Sequence, residues 1–113
     1  VGIMASPAVR RVGLFDRALA DRGVTAIHPD RDDDTLAILR RIKAGDSGPG
    51  PRAALAAVSA ALQARGAAVQ MVACTEFSLI AGAVARGVTA LDTLDVLVRA
   101  IVDFVMGGLP DGR

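Results

Sequence analysis

Short apolar or β-branched runs alternate with stretches of helical period along the whole chain, and this alternation most restricts the folds open to it. The first run, Val1 to Ala5, leads through Ser6-Pro7 to Val12, Phe15 and Leu19 at helical spacing, ending at Gly23. Val24 to His28 is a second run, closed by Pro29; Asp30, Asp32, Asp33 and Asp34 then precede Leu36, Leu39 and Ile42. Aspartates in a first turn complement the positive end of a helix dipole, so a second strand and second helix are expected here. Gly45 to Pro51 reads as the one clear loop, and Ala53 to Arg65 as a helix with Leu55, Val58 and Leu62 on one face. Ala67 to Ala73 is the third expected strand, followed by a helical stretch from Cys74 to Arg86-Gly87. Val88 to Leu91 is the fourth, and Thr93 opens a final helix to about Met106. Strands separated by helices pair in parallel through right-handed crossovers. The expected fold is therefore α/β: three layers, about four parallel strands and helices on both faces.

At 113 residues and 52% hydrophobic content the chain supports one core. Thirteen Lys plus Arg against twelve Asp plus Glu leave a net charge of +1, and there is neither Trp nor Tyr to stack on bases. No basic cluster is present, so no nucleic-acid partner is expected. One cysteine can make neither an internal disulfide nor a thiolate zinc cluster, and the apolar runs fall far short of the ~20 residues that span a bilayer. These features predict a cytoplasmic protein with no membrane contact. Lys43, Glu76, His28 and Cys74 each occur once in a composition rich in Ala and Arg, which makes each worth placing. Val1 opens a strand with no lead-in, which reads as a piece of a longer chain.

The last helix is apolar over most of its circumference. Leu94, Leu97, Val98, Ile101, Phe104 and Val105 form a wide face, with Val96, Ala100 and Val102 beside it. Asp95, Arg99 and Asp103, four apart, leave one narrow polar stripe. Such a helix requires burial on more than one side, and one small sheet offers only one.

In open parallel sheets ligands bind beyond the carboxyl ends of the strands. The pattern above places Ser6, His28 to Asp30, Cys74-Thr75-Glu76 and Asp92-Thr93 at those ends. Ser6 and Asp92 have an equally ordinary use as helix caps. Cys74 leaves a strand where a helix begins, a setting that stabilises a thiolate and lowers its pKa; the plain alternative is an inert core cysteine. His28 reads as a strand-end histidine satisfied by a neighbour. Asp30 to Asp34 read as a solvated cap, too local to hold a metal, and none is expected.

The segment V-Q-M-V-A-C-T-E, Val69 to Glu76, followed by A-L-D-T and an apolar helix, resembles the aspartate/glutamate racemase superfamily. In that family one strand ends in G-C-T-E and a later one in a hydrophobic-Asp segment leading into the last helix. Val1 to Ser6 is similar to the family's V-G-L-L-A-T, and Gly13-Leu14-Phe15 to its G-hydrophobic-aromatic element. V-T-A-I-H-P-D is similar to its strand ending in Pro-Asp, and Ile42-Lys43-Ala44-Gly45 to its I-K-x-G. The segments are co-linear over almost the whole chain.

The resemblance implies an isomerase with two similar α/β halves, one cysteine from each flanking the substrate's α-carbon, without pyridoxal phosphate or any other cofactor. This chain resembles the second half only, so the N-terminal half is an implied partner, as are a small carboxylate or amino-acid substrate and a homo-oligomer. Cys74 then matches the second catalytic thiol. Thr75, Glu76, Ser6 and Lys43 match substrate-side positions, Lys43 as the cation for a substrate carboxylate. A solvated helix-end lysine is its other reading. Ala73 replaces the family's glycine and Pro7-Ala8-Val9 a stretch ending Gly-Thr, which puts aspartate in question as the substrate. On this reading residues 1–92 form the cysteine-bearing domain, 93–107 a closing helix that packs on the other half, and 108–113 a tail. Two alternatives stay open: a one-cysteine decarboxylase or cis-trans isomerase of the same superfamily, and a non-catalytic α/β module that binds a small carboxylate.

Overall fold

Three short parallel strands lie side by side in the order β1 (Gly2–Met4), β2 (Val69–Val72) and β3 (Thr89–Asp92). The computed structural model describes residues 1–107, so the expected 108–113 tail lies outside the described residues. The register pairs Met4 with Val72 and Val72 with Asp92, which aligns the carboxyl ends of all three strands. At the opposite end Gly2 is needed for a close approach: a Cβ there would stand 3.0 Å from the Gln70 side chain and 3.1 Å from that of Ala67.

The helices are α1 (Pro7–Val12), α2 (Leu14–Ala20), α3 (Asp32–Lys43), α4 (Pro49–Ala64), α5 (Thr75–Ser78) and α6 (Thr93–Gly107). The core lies between the sheet and the α3–α4 pair, where Met4 and Val72 meet Ile38, Leu39, Ile42, Leu55, Val58, Leu62, Phe77 and Ile80. On the other sheet face the cover thins across the strands: Ile3 is buried, its neighbour Met71 half-buried, and Leu91 45% exposed. The expected two-sided cover is therefore incomplete over β3.

The expected fourth strand is present as β3, and it is the expected second strand that does not form. Val24 to His28 meets β1 through a single parallel bridge, Gly2 with Ile27, and among the described residues the sheet has three strands. Pro29 has no N–H to extend the ladder, and the His28 carbonyl is taken by the Arg65 guanidinium at 2.6 Å. Arg65 ends α4 just before β2 and also pairs with Asp30. His28 to Asp30 therefore lie by the amino edge of the sheet, not the carboxyl edge. From there α3 runs toward the carboxyl edge, α4 returns, and the α3–α4 hairpin forms the crossover to β2.

Three further expectations shift for local reasons. The first helix is two, because Gly13 (φ +71°) donates to the Val9 carbonyl and closes α1. The Gly45 to Pro51 loop is shorter, since Pro49 sits in the first turn of α4, where a missing N–H costs nothing. The helix expected from Cys74 to Gly87 is only the four residues of α5, followed by a 3₁₀ turn at Ala81–Ala83. What diverts it is tertiary: Ala85 donates its N–H to the buried Ser59 hydroxyl, and Gln63 donates to the Arg86 carbonyl.

Candidate active site

The β2 strand ends at Val72, and the Ala73 amide donates to the Met4 carbonyl, so the chain leaves the carboxyl edge with Cys74 directly beyond. Cys74 flanks α5 in an extended conformation, and α5 is anchored by Phe77, which is fully buried in the core. Four helical residues are too few to be stable alone, so packing and not propensity holds this turn.

Around the thiol the structure gathers three of the expected site residues. Cys74 Sγ donates to Glu76 Oε2 across 3.0 Å, and the Thr75 hydroxyl donates to the same oxygen at 3.1 Å. Lys43 Nζ stands 3.8 Å from Glu76 Oε1, while its side chain is 67% exposed. Lys43 arrives because α3 ends at the carboxyl edge; its C-terminal turn, not its aspartate-rich start, faces the cysteine. Ser6 leaves the same edge from the neighbouring strand, two residues beyond Met4, and its side chain makes no cap hydrogen bond to α1.

The electrostatics correct one expectation. Burial, and then the hydrogen bond to the Glu76 carboxylate, push the Cys74 thiol above its ordinary value, not below it. The amides of Glu76 and Phe77 pull the other way and are outweighed. Glu76 is the counterpart: the Cys74 thiol, its own amide and the Thr75 hydroxyl hold its carboxyl below the usual range, with Lys43 adding to the effect. At neutral pH the pair is thus a protonated thiol donating to a carboxylate. That arrangement can deliver a proton from sulfur.

Two residues beside the site were weakly signalled in the sequence. Asp92, at the carboxyl end of β3, reads there as a cap, and its Oδ1 does accept the Leu94 amide at 3.1 Å. The same oxygen also accepts the hydroxyl of Ser78 at 2.7 Å, a contact that joins α5 to the start of α6. Nothing in the sequence marks Ser78 beyond its position four residues after Cys74. An open cavity of about 320 Å³ lies between these elements, lined among others by Thr75, Ser78, Asp92, Leu94 and Val98.

His28 stands apart from this cluster. Its Nε2 meets both carboxylate oxygens of Asp16, at 2.8 and 3.0 Å, which is the satisfied-neighbour reading. Among the described residues no group of three or more His, Cys, Asp or Glu side chains could hold a metal ion. No described helix is long and apolar enough to cross a membrane. A groove of about 370 Å³ between α3 and α4 is lined by Ala37, Ala54, Ala57 and Ala61 with Asp34 and Arg41, and holds no nucleophile.

No family model and no curated protein matches the sequence. Among solved structures, the chain is similar to a protein from Yersinia pestis described as a putative Asp/Glu racemase, with a TM-score of 0.77 and 22% identity. The match covers 93% of this chain and 47% of that one, so the chain spans about half the length of its structural relative. The three parallel strands and their helices thus share the fold of about half of that protein.

Proposed function

We propose that this chain is one half of a cofactor-independent amino-acid racemase acting on an acidic or related amino acid. The observation that carries the reading is the Cys74–Glu76–Lys43 cluster at the carboxyl edge of this fold. Cys74 is the acid on one face of the α-carbon. Its thiol, protonated at rest and donating to Glu76, gives its proton to the planar carbanion and is left as the thiolate. In the reverse direction that thiolate removes the proton. Lys43 supplies a mobile, solvated cation for a substrate carboxylate, and Thr75 and Ser6 supply hydroxyls beside it.

Inversion needs a second acid/base group on the opposite face, and the chain has one cysteine. We assign that group to a second α/β half, which also covers α6. No residue of α6 is buried, and Leu94 to Met106 include side chains 40% to 81% exposed. Covering the site would also dry it, which strengthens every charge interaction in the transition state.

Solvent deuterium exchange at the α-carbon of D- and L-aspartate and glutamate tests the reading. The expected result is slow exchange of one enantiomer without inversion, lost in Cys74→Ser. Exchange that survives Cys74→Ser removes the thiol from the mechanism, and full racemisation by the 113-residue chain alone removes the half-site.

A further inference from the structure

The outer face of the α3–α4 pair carries almost no charge. Between Arg52 and Arg65 the exposed positions of α4 are Ala53, Ala57, Ala60, Ala61 and Ala64, and no residue in that stretch is charged. A solvent-facing helix ordinarily displays charged side chains along that side. A groove of about 370 Å³ runs between this face and α3, with Ala57 and Ala61 on one wall and Ala37 on the other. Side chains this small let a further helix approach toward the short end of the usual separation of about 8–10 Å.

The charges that do line the groove are one of each sign. Asp34 and Arg41 both belong to α3, about two turns apart along the same side. Arg41 is held in place: its Nη2 donates to Asp46 Oδ2 at 2.9 Å, and its guanidinium lies over Gly50, where a Cβ would collide with it. A guanidinium has several donors in a fixed fork, so Arg41 retains others for a second carboxylate. Asp34 takes part in no ion pair among the described residues. A surface that is negative at one end and positive at the other is complementary to itself turned end for end. A two-fold axis across the groove therefore sets Asp34 of each copy beside Arg41 of the other, whereas parallel packing sets like charges together.

We propose that this face binds a second copy of the chain, with α3 antiparallel to α3, the alanine side of α4 packed along the seam, and Asp34 and Arg41 setting the register. The groove shares no lining residue with α6, so this pairing leaves α6 for the second half assigned above. It is also independent of whether Cys74 is catalytic.

The test is sedimentation equilibrium of the 113-residue chain carrying Val98→Asp and Ile101→Asp, which removes association through α6. This parent is expected to be a dimer. Asp34→Arg and Arg41→Asp each turn two attractions into two repulsions, and each should weaken the dimer roughly tenfold or more in Kd. The two together exchange the signs and should restore it to within about threefold of the parent. Ala57→Glu places a charge inside the groove and should weaken the dimer roughly tenfold as well. Positions 34, 41 and 57 are all exposed, so the core is untouched, and thermal midpoints close to the parent's verify that each variant folds. A parent that stays monomeric at every soluble concentration overturns the proposal. So does a dimer indifferent to Asp34→Arg or to Ala57→Glu, or a double exchange that binds no tighter than the single ones.

Discussion

Cys74 donates its thiol proton to Glu76 across 3.0 Å, so the chain's single thiol is held in its protonated form by the chain's single glutamate. The carboxylate both accepts the hydrogen bond and places a negative charge where a thiolate would form, and burial acts in the same direction. Iodoacetamide should therefore react slowly at pH 7, with an inflection above the ordinary thiol value of about 8.5. Glu76→Gln removes the charge and should bring the inflection down, with about threefold or greater acceleration at pH 8. An inflection that rises or stays fixed in Glu76→Gln would contradict the pairing.

The same raised pKa predicts how stability depends on pH. A group whose folded pKa lies above its unfolded one favours the folded state fully below the unfolded value, and that contribution is lost as pH rises through the folded value. For Cys74 the window opens at about 8.5 and extends upward. The chain has no tyrosine and only one lysine, so few other side chains titrate there. Thermal melts between pH 7 and pH 10 should show a steeper fall in wild type than in Cys74→Ser, and parallel curves would refute the assignment.

A buried polar knot sets the stability of the segment after α5. Ser59 donates to Gln70 Oε1 at 2.7 Å and accepts the Ala85 amide at 2.9 Å, while Gln70 Nε2 donates to the carbonyls of Ser59 and Ala67. Ser59→Ala strands the Gln70 carbonyl and the Ala85 amide, at a cost of about 1–3 kcal/mol for a buried group left unsatisfied. Urea unfolding should show a loss of that size. A change under about 0.5 kcal/mol, the range of neutral surface substitutions, would mean that water replaces the hydroxyl freely.

The α6 face should make the isolated chain sticky. Its apolar side chains, among them Val98 and Ile101, are about half exposed, more contiguous apolar surface than monomers ordinarily leave wet. Light scattering should report association, or an apolar dye should bind. Val98→Asp with Ile101→Asp should reduce either signal severalfold with little change in thermal midpoint, because neither side chain is packed in the core. A monodisperse chain that binds no dye would show that the face needs no cover.

The sequence alone determined the parallel α/β class, the helical faces of Leu39 and Ile42 and of Leu55 and Leu62, and the position of Cys74 just beyond a strand. Each is a local matter of hydrophobic period and chain punctuation, and each is visible within a window of about fifteen residues. Tertiary structure decided the rest. Whether Val24 to His28 becomes a strand depended on Arg65, 37 residues after His28, taking the His28 carbonyl. The helix after Cys74 stopped at Ser78 because Ser59 and Gln63 of α4 capture Ala85 and Arg86. Lys43 reached Glu76 because α3 runs toward the carboxyl edge, a direction that no propensity encodes. The thiol's protonation followed the same rule: the sequence placed Cys74 before a helix, which favours a thiolate, but burial and the Glu76 carboxylate outweigh the amides of a turn only four residues long. Local pattern sets which elements form, while charge and hydrogen-bond balance depend on distances between residues far apart in the chain, and only the folded chain fixes those.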